Sequence, residues 1–258
     1  MAGNMKIALF FFSGTGNTRW VAEILNKHLS QNTTVDLFDL EKEFEFDHHD
    51  YDKFIVAHPV YGAHVPRFVI ERVDELIPGN KKLTVIATFG YVNALGYFAE
   101  KKMLGRDIDA YFNVKMFNNI STPRLKTSIK APDKRLGKKA GIEAKIKNMS
   151  DLIMHGKKRI QGIGPQLIVG IKLRKTFQPG LQAHYQTLGV DLDCCTHCGR
   201  CVRECPTHSI FEENGKYRFE ATCTACMRCY NFCPVNAITI NGKFADPDQY
   251  TRYTGPWE

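Results

Sequence analysis

Two sixteen-residue stretches near the carboxyl end hold the residues best able to do chemistry. CTHCGRCVRECPTHSI (195–210) and CTACMRCYNFCPVNAI (223–238) are copies of one repeat, 28 residues apart. Each reads C-x2-C-x2-C-x3-C-P: Cys195, Cys198, Cys201 and Cys205-Pro206, then Cys223, Cys226, Cys229 and Cys233-Pro234. A cubane iron–sulfur cluster needs four converging thiolates, and three from a tight loop plus one from the other repeat supply them. The spacing predicts two [4Fe–4S] clusters held crosswise. Cys195, Cys198, Cys201 and Cys233 serve cluster one; Cys223, Cys226, Cys229 and Cys205 serve cluster two. A pair of structural zinc sites is the alternative, since C-x2-C is also zinc spacing, but zinc gives no reason for the x2, x2, x3 rhythm or the trailing proline. All nine cysteines fall between Cys194 and Cys233. With no export signal at the N-terminus, that clustering points to metal rather than disulfides and to a cytoplasmic location. Cys194 lies outside the ligand set and reads as a tolerated neighbour. His197, inside the first loop, reads as a solvated residue, with proton coupling to cluster reduction as the sharper alternative.

A second chemical signal is SGTGNT (13–18), set between an apolar strand and a helix. It lacks the lysine of a Walker loop and the spacing of G-x-G-x-x-G. Ser13, Gly14, Thr15, Gly16, Asn17 and Thr18 instead offer two glycines for a tight turn, hydroxyls, an amide and a helix N-terminus. Those groups suit a phosphate monoester held by free N–H groups and the positive end of the helix dipole.

The cysteine segment resembles a bacterial two-cluster [4Fe–4S] ferredoxin over roughly residues 189–245, and every ligand position of that pattern is present. The SGTGNT loop resembles that of flavodoxins, over about residues 5–150. That resemblance implies FMN, with its ring between the loops after the third and fourth strands, here HPVYGAHVP (58–66) and TFGYVNALGY (88–97). It places Pro59, Val60, Tyr61, Gly62, Phe89, Gly90 and Tyr91 at the ring. Tyr61 and Tyr91 are the aromatics to stack on it, with Phe89 as a substitute, and Gly62 and Gly90 are where the backbone could tune flavin N5. His58 and His64 flank the first of these loops. The chain departs from typical flavodoxins in lacking an acidic cluster in the 88–97 loop. The whole length resembles a flavodoxin–ferredoxin fusion family of anaerobes.

These motifs need a frame. Short apolar runs alternate with helical patterns over the first 120 residues, which predicts βαβ units and a parallel sheet. Strands are expected at 6–13, 33–40, 53–60, 82–90 and 111–120, and helices from Thr18, over Phe68–Ile77 and over Ala94–Leu104. Five strands with crossover helices suit a flavodoxin-like doubly wound α/β sheet, whose ligands sit beyond the carboxyl ends of the strands. A small α+β ferredoxin-like domain should follow. The division expected is 1–160 for the FMN domain with a basic helical part from about Asp133, 161–188 for a connector marked by Gly and Pro, and 189–258 for the cluster domain and tail.

The chain has 258 residues, 43% hydrophobic and 24% charged, which excludes a disordered or fibrous protein. No apolar run is long enough to span a membrane. Net charge is +8, but it divides as −2 over 1–120, +12 over 121–188 and −2 over 189–258. Lys126, Lys130, Lys134, Arg135, Lys138, Lys139, Lys145, Lys147, Lys157, Lys158 and Arg159 crowd the middle. Two oxidised clusters and one FMN phosphate would bring the holoprotein to about +2. The basic stretch reads first as an offset to those internal anions, and next as a docking face (121–175) for acidic redox partners. PQLIVGIKLRK (165–175) leaves membrane-surface contact open. Nucleic acid is not expected, because stacking aromatics and a reading motif are missing. The functional expectation is a cytosolic carrier passing electrons between FMN and the clusters and converting between one- and two-electron partners. Its rivals are a flavin-dependent reductase of a quinone or nitro compound fed by the clusters, and a ferredoxin with a flavin-free docking domain.

Overall fold

The computed structural model describes residues 5–91, 93–120, 122–123, 132–164, 166–244, 252–253 and 255–256, with backbone alone at 132–136 and 166–169. Five strands, β1 (Lys6–Phe11), β2 (Thr34–Asp39), β3 (Lys53–Pro59), β4 (Leu83–Phe89) and β5 (Ile108–Lys115), form one sheet. All its pairings are parallel, in the order β2-β1-β3-β4-β5. The inner strands are apolar almost throughout, as strands covered on both faces must be. One face is covered by α1 (Asn17–Leu29) and α4 (Pro132–Met154), whose Val21, Leu25 and Leu29 meet Ile146, Met149 and Ile153. The other carries α2 (Arg67–Leu76) and α3 (Tyr97–Leu104), packed through Val69, Val73 and Leu104. This is the expected flavodoxin-like arrangement. Connections from β1 and β3 leave in opposite directions, which opens a crevice at their carboxyl ends.

Three expectations shift. The helix expected from Ala94 begins at Tyr97, because Asn93 Oδ1 accepts the N–H of Leu95 and Gly96 has φ 71°, which together form a turn first. The fifth strand runs over 108–115 rather than 111–120. Its start was masked by Asp109, which pairs with Lys53 at 3.0 Å and accepts from Thr84 Oγ1 at 2.7 Å. Its end peels away to reach the 13–18 loop. The supposed connector is largely helical: α5 spans Gln166–Gln182, with Pro179 inside it. Just before it, Arg159 O and the Gln161 N–H bond to Tyr111 and cover the open edge of β5.

The C-terminal unit is small. β6 (Leu188–Val190) pairs antiparallel with β9 (Ile238–Ile240), and β7 (Ile210–Glu213) with β8 (Lys216–Phe219) through an Asn214-Gly215 turn. Both turn residues have positive φ, 51° and 76°, as a two-residue hairpin requires. Short helices α6 (Arg200–Arg203) and α7 (Arg228–Phe232) complete it around Met227, Tyr230 and Ile238. Tyr253, fully buried, wedges between the two units: its N–H donates to Asn231 Oδ1 and its hydroxyl to Asn17 Oδ1. No helix among the described residues is long and apolar enough to cross a membrane.

Beneath the crevice lies a polar chain closed to water. His58 Nδ1 donates to Pro59 O at 3.0 Å and Nε2 meets Glu100 Oε1 at 2.5 Å, with both side chains fully buried. Tyr111 Oη donates to Glu100 Oε2 and accepts from Asn93 Nδ2. Burial opposes charge on His58, but the Glu100 carboxylate and its hydrogen bond outweigh it, with the Pro59 carbonyl adding to them, and the pKa is raised above 6.5. The pair's stabilisation is therefore complete below pH 6.5 and is lost as pH rises through the raised value. His58→Gln should cost about 3–5 kcal/mol at pH 6. Denaturant unfolding repeated up to pH 9 should show that deficit shrinking; a deficit that grows with pH would reverse the assignment.

Candidate redox sites

The two cysteine loops repeat in backbone as well as in sequence. His197 and Ala225, Gly199 and Met227, and His208 and Asn236 are equivalent pairs, and all six have φ between 48° and 68°. Left-handed residues placed this way turn N–H groups toward the loop interior. Equivalent amides then reach equivalent sulfurs: Ser209 N donates to Cys205 Sγ at 3.3 Å, and Ala237 N to Cys233 Sγ at 3.2 Å.

Two cavities result. One is lined by Cys195, Cys198, Cys201 and Cys233, with Pro234 and Tyr217. The other is lined by Cys205, Cys223, Cys226 and Cys229, with Pro206. Each loop of three is thus joined by the distant fourth cysteine of the other. No three of these sulfurs lie within 4.8 Å of one another. Four thiolates on one zinc at 2.3 Å would sit about 3.8 Å apart, closer together than any three of these sulfurs. Cys194 lines neither cavity and donates to Asp191 O. His197 is exposed, and Tyr217 Oη lies 3.4 Å from its Nδ1 and 3.7 Å from Cys195 Sγ. Sequence reasoning missed Tyr217, which sits on a hairpin outside the motif.

In the 13–18 loop the side chains serve the loop itself. Ser13 Oγ accepts the Gly16 N–H, Thr15 Oγ1 accepts from Asn119 Nδ2, Asn17 Nδ2 donates to Phe117 O, and Thr18 Oγ1 pairs with Thr88 Oγ1. Gly16 sits at φ 97° immediately before α1. The N–H groups of the first helical turn have no intrahelical acceptor and face the crevice mouth. Gly14 leaves no space for a side chain: a Cβ there would run into Tyr61 Oη and lie 2.8 Å from Cys226 Cβ. This donor set fits a phosphate monoester carried by backbone N–H groups. Asn119, missed in the sequence, owes its place to the departure of 116–120 from the sheet.

Ring-loop residues fall in contrasting settings. Val60 N donates to Thr88 O, and Tyr61 and His64 exchange backbone hydrogen bonds around Gly62 (φ 52°) and Ala63 (φ 66°). His64 Nδ1 braces that turn on Gly62 O. Tyr61 turns its hydroxyl inward toward Gly14 and Cys226, and burial holds the phenol well above its usual range. Tyr91 is 56% exposed. Pro59 is buried at the end of β3, and Phe89 and Gly90 lie at the end of β4, where Asn118 packs 3.3 Å from the place of a Gly90 Cβ. α5 bridges both loops, with Phe177 and Leu181 against Gly62 and Arg174 donating to Ala94 O and Leu95 O. The glycines and proline of α5 hid it as a connector. Lys126 and Lys130 lie outside the described residues, as do the side chains of Lys134 and Arg135. Lys138, Lys145, Lys147, Lys157, Lys158 and Arg159 are exposed and Lys139 is half-buried; none forms an ion pair among the described residues.

Residues 8–104 match the family model of a flavodoxin domain, and residues 194–238 that of a 4Fe-4S dicluster domain. These two matches on one chain are consistent with a flavodoxin–ferredoxin fusion. A flavodoxin of Synechocystis sp. is 28% identical over 96 residues, which cover 36% of this chain and 55% of that relative, so the match spans about half of its length. Among solved structures, the Streptococcus pneumoniae TIGR4 flavodoxin is 18% identical, covering 57% of this chain and 95% of its own (TM-score 0.37). An FMN-complexed flavoprotein from Lactobacillus acidophilus NCFM is 14% identical, covering 42% and 93% (TM-score 0.33). Likenesses of that size add nothing to the strand order itself. The flavodoxin domain implies FMN, and the dicluster domain implies iron–sulfur clusters; together they support a role in electron transfer.

Cys205→Ser should lower bound iron from about eight to about four atoms per chain, whereas Cys194→Ser should leave it unchanged. Iron and sulfide analysis after reconstitution checks both. Gly14→Ala should destabilise the holoprotein by about 1–3 kcal/mol through overpacking, read as a lower unfolding midpoint.

Proposed function

We propose that the protein is a cytoplasmic electron carrier that passes electrons between FMN and two [4Fe–4S] clusters, converting between one- and two-electron partners. The observation that supports this best is the contact of Gly14 with Cys226 and Tyr61, which sets the 13–18 loop against a cysteine of the second cavity. When bound, clusters exchange single electrons and a flavin exchanges one or two. The chain's own part is to bind and shield. Eight cysteines hold iron, the first turn of α1 holds the phosphate, and the 59–62 and 89–91 loops border the ring. Burial of Cys226 and of the Tyr61 hydroxyl keeps water from the junction. Redox proteins of acidic surface are the proposed partners, docking on the basic 121–175 segment, with steering that weakens as salt rises.

The exposure of Tyr91 favours a second reading, a reductase of a quinone or nitro compound. An anaerobic reductive titration of the reconstituted protein, with flavin followed by absorption and clusters by electron paramagnetic resonance, separates the cases. A carrier takes up electrons at bound FMN and at both clusters in one connected sequence, and turns over small electrophiles slowly. Reduction of the clusters without a bound flavin signal would sink the FMN assignment. Fast turnover of a quinone would favour the reductase.

A further inference from the structure

The two repeats are built alike but used differently. Cys198 and Cys226 are equivalent positions, and the first is exposed while the second is buried. Arg200 and Arg228 are also equivalent. Arg200 pairs with Glu204, the residue that ends its own helix. Arg228 instead faces the flavodoxin domain. Its Nε donates to Gly14 O at 2.7 Å; Nη2 donates to Ser13 O at 2.7 Å and Glu41 Oε1 at 2.5 Å; Nη1 donates to Glu41 Oε2 at 2.7 Å and Glu204 O at 2.8 Å. Five contacts use all five guanidinium N–H groups. A second string of contacts runs beside it, from Asn231 Nδ2 to Asn119 O and from Asn119 Nδ2 to Thr15 Oγ1.

In a planar trans peptide the C=O and the following N–H point in opposite directions. Fastening Ser13 O and Gly14 O to Arg228 therefore aims the Gly14 and Thr15 N–H groups away from it. Arg228 itself stands between Cys226 and Cys229, directly after Met227, a non-glycine residue at φ 62°. A loop in that conformation depends on being held, and metal ligation by its cysteines supplies folding energy.

We propose that Arg228 is a positioning residue that couples iron loading of the Cys205/Cys223/Cys226/Cys229 set to phosphate binding at the 13–18 loop. This rests on the reading that the loop takes FMN. Coupling of this kind is reciprocal: loading tightens FMN binding, and bound FMN raises the affinity for iron by the same factor. The equivalent arginine of the first repeat, Arg200, pairs with Glu204 and takes no part.

The test measures FMN affinity by equilibrium dialysis, anaerobically, for iron-free and cluster-loaded full-length chain. The wild type should bind FMN more tightly when loaded, by a factor in the range of about 5 to 150. Arg228→Ala should abolish the difference and Arg200→Ala should preserve it. Arg228→Lys keeps the charge toward Glu41 but cannot reach both carbonyls, and should reduce the factor. Amide hydrogen exchange gives a readout without FMN, in which loading should slow exchange over 13–18 in the wild type and not in Arg228→Ala. Equal FMN affinity of the loaded and iron-free wild type would overturn the coupling and leave the FMN reading intact. FMN binding by neither form would overturn both. A factor that survives in Arg228→Lys and Arg228→Ala alike would remove Arg228 from the mechanism.

Discussion

A half-buried guanidinium has five N–H groups to satisfy, and how Arg228 satisfies them fixes how the two halves of this chain meet. A surface lysine could have been answered by water. Arg228 must find five acceptors in a rigid planar fork, and the Ser13 and Gly14 carbonyls, the Glu41 carboxylate and the Glu204 carbonyl supply them. Few arrangements of two domains satisfy all at once. Cys226 is consequently pressed against Gly14, and Tyr61 against both. The absence of a side chain at Gly14 is thus a condition of the interface as much as of the turn.

The crevice on the other side of that interface is held from below. Among parallel strands made almost wholly of apolar residues, the His58–Glu100–Tyr111–Asn93 chain is an exception, and it runs from the end of β3 to the loop after β4. Each polar atom in it has a partner, so burial does not leave an uncompensated charge. A chain of that kind resists independent movement of the two loops. Above it, α5 reaches across the same loops through Phe177, Leu181 and Arg174. The crevice is braced at its floor and at its rim by elements far apart in sequence.

The division of labour within the 13–18 loop follows from the same economy of hydrogen bonds. Hydroxyl and amide groups that a reader would assign to a ligand instead hold the loop to Phe117, Thr88 and Asn119. The backbone N–H groups are what remain. That suits an anion better, because amides fixed by a helix cannot swing away as a flexible side chain can.

Local chemistry is legible in a sequence, and here much of it was. The cysteine rhythm grouped the eight sulfurs as they line the two cavities, because a tight loop restricts spacing. The apolar strands, the SGTGNT turn and the order of strands and helices declared a doubly wound sheet, because each depends on neighbours within a few residues. The start of β5 was hidden by Asp109, whose partners Lys53 and Thr84 lie on other strands. α5 was hidden because glycine and proline lower helix propensity, and only packing on the two loops restores it. Glu100, Asn119, Tyr217 and Arg228 carry no signal at all in one dimension. A glutamate on a helix reads as a solvated face until His58 is known to lie beneath it. Arg200 and Arg228 occupy the same place in the repeat, and nothing in either copy tells them apart. The sequence by itself determined the grouping of the cysteines, the turn and the sheet, since these follow from short-range geometry. Only the tertiary structure decided which cysteine loop meets the phosphate loop, because that choice rests on acceptors that folding alone brings within reach of one side chain.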